Sequence, residues 1–110
     1  MSAVTTHKAR IVVFDDPDYG PSRRMVTVAR DVAAQRSDVE VERVDVWQHR
    51  DRGFAHGVLT VPTTVIFVGG EERARLCGVR STRSLAWTIG CIMPFASPIV
   101  GRLPLSVRLC

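Results

Sequence analysis

The chain has 110 residues, 45% of them hydrophobic and 24% charged, with a formal net charge of +4 and a pI near 9.6. That length fits one small domain, and the balance of apolar and charged residues is that of an ordinary globular protein rather than a disordered or fibrous one. The cationic residues, almost all Arg, are scattered among acids, with no basic run of five and no aromatic-rich platform, so no nucleic-acid partner is expected.

Met1 to Arg10 is polar and lacks the apolar core of a secretory signal. No stretch approaches the ~18 apolar residues of a membrane span. Ile11-Val12-Val13-Phe14 is a continuous apolar run and predicts a strand buried on both faces. Asp15-Asp16-Pro17-Asp18 breaks it as a loop. A helix is expected from about Pro21, with Asp18 as a candidate cap. Met25, Val28, Ala29, Val32 and Ala33 recur at helical spacing, and Ser37-Asp38 closes the segment.

Val39 to Val46 reads as the second strand. Val39 and Val41 alternate with Glu40 and Glu42, then the phase slips to Val44 and Val46. The slip predicts either a bulge or a strand buried on different faces at its two ends. Trp47 to His56 leans helical and stops at Gly57. Thr64 to Val68 is a strongly β-branched strand after Val61-Pro62-Thr63, Gly69-Gly70 is a hairpin signal, and Arg73 to Leu76 returns. Ser81 or Thr82 caps a last helix with Leu85, Ala86 and Ile89 on its apolar face, ended by Pro94. Phe95 to Cys110 reads as no element. The expected divisions are an extension over 1–10, a domain over 11–93 and an apolar, proline-containing tail over 94–110.

The predicted order is β-α-β-α-β-β-α, an α/β domain whose mainly parallel sheet carries helices on its faces and closes with an antiparallel hairpin. Cys77, Cys91 and Cys110 form no CxxC pair. Their odd number and irregular spacing argue against a disulfide framework and for a reducing, cytoplasmic setting. Cys77 and Cys91 are expected as small buried apolar residues and Cys110 as the exposed, oxidisable one. His7, His49 and His56 stand at no metal-ligand spacing with the cysteines, and no metal or other cofactor is expected. Trp47 and Trp87 are expected to pack in or against the core.

Four segments in order carry a resemblance. Val12 to Met25, including Tyr19-Gly20-Pro21-Ser22, resembles the first strand, active-site loop and helix start of thioredoxins. Val44-Asp45-Val46 resembles the end of their next strand. Gly57 to Thr63 is similar to the segment that carries their cis-proline, and Gly70 to Gly78 to their terminal hairpin. The resemblance covers about residues 10 to 90. It implies a minimal, glutaredoxin-sized thioredoxin-like fold with a central four-stranded mixed sheet flanked by helices. It also places the family's attacking cysteine on Tyr19, its resolving cysteine on Ser22, its buried acid on Val13 and its preceding tryptophan on Asp18.

A dithiol cycle needs one thiolate to attack and a second thiol to resolve the mixed disulfide. A phenol and a hydroxyl do neither, so no catalytic residue is expected at the loop. The resemblance also implies that Pro62 follows a cis bond and that the backbone of Val61 faces an extended peptide. The expected function is binding of a protein or peptide through Asp18, Tyr19, Val61 and Pro62, with Tyr19 either anchoring the partner or packing back onto Pro62 and keeping the groove shut. The alternative is thiol–disulfide exchange through a cysteine outside the loop, Cys77 foremost.

Overall fold

The computed structural model describes residues 9–93 and 106–110. Strand β1, Ala9–Asp15, starts two residues before the apolar run and is buried at every position but Arg10. Helix α1, Gly20–Ala34, follows a short loop, and β2, Val39–Asp45, returns beside β1 in parallel. Helix α2, Arg50–Ala55, is short. Strands β3, Thr63–Val68, and β4, Glu71–Cys77, form the hairpin, with Gly69 and Gly70 both at positive φ in the turn. Two successive residues in that region suit glycine and match the twist of the paired strands. Helix α3, Thr82–Ile92, is capped by Ser81, whose hydroxyl accepts the Ser84 N–H at 3.0 Å.

The sheet has five strands in the order β2-β1-β3-β4-β5, not the four expected. The fifth, β5, Val107–Leu109, lies in the segment read as having no element and pairs in parallel with β4. Its sequence signal is the alternation Leu105, Val107, Leu109 with Ser106 and Arg108 between, which Pro98 and Pro104 obscure. The rest of the expected tail, residues 94–105, lies outside the described residues, as does most of the expected N-terminal extension.

The phase slip in β2 is a change of buried face, not a bulge. Its register with β1 runs unbroken from Ala9↔Val39 to Asp15↔Asp45. Val39 and Val41 pack with the larger core, while Val44 and Val46 pack with the smaller one on the other side. The larger core joins Ile11, Val13, Ile66 and Leu76 of the sheet to Met25, Ala29 and Val32 of α1 and Leu85, Ile89 and Ile92 of α3. Ala86, expected on the buried face of α3, is exposed; the inward stripe is Leu85, Thr88, Ile89 and Ile92. On the opposite face Val12, Phe14, Val44 and Val65 form the second cluster, where the His56 ring after α2 sits between Phe14 and Phe67 at 5.7 and 5.6 Å.

Topology sets one end of the sheet apart. β1, β2, β4 and β5 run in one direction and β3 in the other. The chain therefore leaves β1, β2, β4 and β5 and enters β3 at a common end.

Candidate functional site

The loop from Asp16 to Ser22 lies at this common end. The Asp16 carboxylate accepts the Asp18 N–H at 2.9 Å, and the Asp16 carbonyl accepts the Tyr19 N–H at 3.0 Å. Arg23 reaches back to the Pro17 carbonyl at 3.0 Å. The loop is thus bound up by its own polar groups. Asp18 does not cap α1: the cap position is Tyr19, which makes no side-chain cap bond, and Pro21 sits in the first turn, where its missing N–H costs nothing. Asp18 and Tyr19 are exposed, Tyr19 by 46%, whereas Ser22 is fully buried. The Ser22 hydroxyl has no hydrogen-bond partner within the protein.

The Val61–Pro62 bond is cis, with Pro62 buried and Val61 half-buried. Thr63 follows, paired with Phe14 on one side and Cys77 on the other. Its hydroxyl donates to the Thr60 carbonyl at 2.7 Å, which fixes the turn into β3. The Gly78 N–H donates to the Pro62 carbonyl at 2.9 Å.

The same end gathers exposed apolar side chains. Tyr19 follows β1, Trp47 follows β2, Leu59 precedes β3, Val79 follows β4 and Leu109 ends β5. These are five of the seven large hydrophobic residues exposed among the described ones. Trp47, expected in the core, is 61% exposed, and Trp87 is 64% exposed. Trp47 sits in a turn whose N–H is held by Asp45 at 2.8 Å, with Arg50 over its ring at 5.3 Å. Trp87 falls outside the inward stripe of α3. By strand direction the five share one end, spread across the sheet from the β2 edge to the β5 edge.

Two features of this end escape sequence reading. Asp15 is the last residue of β1, not a loop acid, and is fully buried. Arg43 of β2 donates to both its oxygens, at 3.0 and 2.9 Å. Burial nevertheless holds the Asp15 carboxyl above its ordinary value; Arg43 opposes the shift, and the nearby Asp45 and Asp16 add to it. The signal in the sequence is Arg43 on the edge strand, directly after the Glu40 and Glu42 alternation breaks.

The second feature overturns the expectation of free cysteines. Cys77 and Cys110 form a disulfide, with Cα atoms 4.8 Å apart, and Cys91 is the one free cysteine, half-buried, among the described residues. The parallel β4–β5 register makes the bond, because Leu76↔Leu109 sets the next residue of each strand side by side. Spacing along the sequence does not show this, because the approach of the two cysteines depends on the pairing of β5 with β4. Arg80 braces the junction, donating to the Cys77 carbonyl at 3.2 Å and the Leu109 carbonyl at 2.6 Å.

Among the described residues no group of three His, Cys, Asp or Glu side chains is placed to hold a metal ion, and no helix is long and apolar enough to cross a membrane. No family model matches the chain. The thioredoxin of Chlamydia caviae is 29% identical over 66 residues, which are 60% of this chain and 65% of that protein, so the match spans less than two thirds of that relative. A mutant thioredoxin from Halobacterium salinarum superposes with a TM-score of 0.71 at 28% identity, covering 76% of this chain and 73% of that one. A thioredoxin from Nicotiana alata gives 0.68 at 28%, over 74% and 70%. A malaria parasite thioredoxin-2 gives 0.71 at 13%, over 80% and 86%, a likeness of fold alone.

Proposed function

From the premise that the chain is a thioredoxin-like superfamily protein, we propose that it works by binding an extended, apolar protein or peptide segment through the Tyr19 loop and the Val61–Pro62 edge. The observation that carries this reading is that Tyr19, Trp47, Leu59, Val79 and Leu109 are all exposed at the common end of the sheet. Loops tied down by internal hydrogen bonds present these side chains at small ordering cost. Tyr19 and Ser22 stand where the resemblance puts the two cysteines, so this loop supplies no thiol to attack or resolve a disulfide. The exposed Asp18 beside Tyr19 favours a basic residue flanking the apolar segment of the ligand. Action without a metal or other cofactor, and a cytoplasmic setting, belong to the same reading.

The test is a randomised peptide library panned on the oxidised protein, followed by fluorescence anisotropy with an enriched peptide. Enriched peptides are expected to be apolar. Tyr19→Ala is expected to weaken binding at least about tenfold, the scale of an anchor residue, and Trp87→Ala on the outer face of α3 to leave it unchanged. No enrichment, or equal binding to Tyr19→Ala, sinks the reading.

A second reading, thiol–disulfide exchange through a cysteine outside the loop, is favoured by the oxidised Cys77 at the same end. Its measure is insulin reduction in the presence of dithiothreitol. Loss of turnover in Cys77→Ser would support it, and no turnover above the dithiothreitol blank would remove it.

A further inference from the structure

We propose that the Cys77–Cys110 bond is an exchangeable latch: a dithiol reductant opens it by attack on Cys110, and opening releases β5 from the edge of β4. The inference concerns this bond and this strand, and it holds whatever ligand the common end takes.

The two residues are unequal: Cys110 is exposed, whereas Cys77 is half-buried between β3 and β5. In the proposed order an incoming thiolate attacks the Cys110 sulfur first. Its electron pair forms the new S–S bond, and the old bonding pair leaves on Cys77 as a thiolate, which then takes a proton from water. The second thiolate of the reductant attacks its own sulfur in the mixed disulfide and expels Cys110 as a thiolate, which is protonated in turn. In sum the dithiol loses two electrons and two protons to Cys77 and Cys110 and becomes a disulfide. Around Cys77, the Arg80 guanidinium donates to its carbonyl, and Thr63 Oγ1, whose proton goes to the Thr60 carbonyl, lies 3.9 Å from its Sγ.

Among the described residues little else fastens β5. It has three residues, of which Arg108 and Leu109 are exposed and Val107 only partly packs on the core. Beyond its backbone pairing with Ala74, Arg75 and Leu76, it is held by the Arg80 bridge to Leu109. A strand so short and so exposed depends on the covalent link to stay docked. Its release would bare the backbone of β4 one strand away from Pro62 and move Leu109 away from the common end.

The experiment uses the full chain with Cys91→Ser, which removes the third thiol. The protein is poised at graded ratios of reduced to oxidised dithiothreitol, alkylated and weighed. One two-electron transition that frees both thiols while circular dichroism keeps the folded signal is expected. Reduction only under unfolding conditions would overturn the proposal, as would thiols that stay free in oxidised dithiothreitol. A brief reaction with glutathione should map the mixed disulfide to Cys110; mapping to Cys77 refutes the order of attack. Hydrogen exchange should rise at least about tenfold at residues 107–109 on reduction, with α1 unchanged. Equal protection of β5 in both redox states would show that nothing is released.

Discussion

The backbone N–H of Gly78 donates to the carbonyl of Pro62 at 2.9 Å, so the residue after Cys77 is tied to the proline of the candidate site. Gly78 holds that position at φ 82°, and a Cβ there would meet no heavy atom within 4 Å. The cost of a side chain is therefore conformational rather than steric. Gly78→Ala is expected to lose about 1–2 kcal/mol in urea unfolding and to weaken peptide binding by moving Pro62. Unchanged stability would show that the left-handed conformation is not needed here.

Asp15 should make the protein's pH response differ from that of its other acids. Its folded carboxyl titrates above its unfolded value, so the folded state holds the proton more tightly. The sign follows: stability contributed by Asp15 is greatest below the unfolded value and declines as pH rises through the folded one. Asp15→Asn keeps an oxygen for Arg43 but carries no charge to desolvate. Between pH 4 and 7 the variant should gain on the parent by about 1 kcal/mol, measured as the difference in urea midpoints. A constant difference across that range would refute the account.

Arg75 is the buried cation of β4. It donates to both oxygens of Glu72 at 2.9 Å, to the His56 carbonyl at 2.6 Å and to the Gly57 carbonyl at 3.3 Å, so it binds the hairpin to the end of α2. The hydrogen bonds from Arg75 hold the Glu72 carboxyl below its ordinary value. That stabilisation is present above the unfolded value and is lost as pH falls through the folded one. Arg75→Met should cost about 2–3 kcal/mol at pH 7, less than a fully buried pair because Glu72 keeps some contact with water. The penalty should shrink in acid, as thermal unfolding at pH 3 and pH 7 would reveal.

Ser22 buries a hydroxyl without a partner, a cost of about 1–3 kcal/mol that a thiol or a methyl would largely avoid. Ser22→Ala should raise the urea midpoint accordingly. Tyr19→Cys with Ser22→Cys, made in a Cys110→Ser background, should gain dithiothreitol-dependent insulin reduction. No gain would mean that the loop no longer holds the geometry that such a pair needs.

Most of the sheet could be read from the sequence because its strands are buried on one or both faces and their apolar runs say so. β1, β3 and the Gly69-Gly70 turn are of this kind. β5 was hidden because it is short, half exposed and preceded by prolines. Asp18 and Tyr19 follow β1, and Val61 and Pro62 precede the antiparallel β3, so strand direction puts the four at one end of the sheet. Asp15 and Cys110 escaped because their partners, Arg43 and Cys77, are 28 and 33 residues away and meet only through strand pairing. The two tryptophans escaped because residue type carries an average expectation of burial, while the phase of a turn or helix decides the individual case.

The β3–β4 hairpin gives the molecule a handle. Gly69 and Gly70 turn at the end of the sheet opposite Tyr19, Leu59 and Cys77, and side chains added at either would meet no heavy atom within 4 Å. A dye, a surface tether or an inserted tag placed in that turn would leave the whole contact end facing solution. The same chemistry placed after Cys110 would sit on the face it was meant to report.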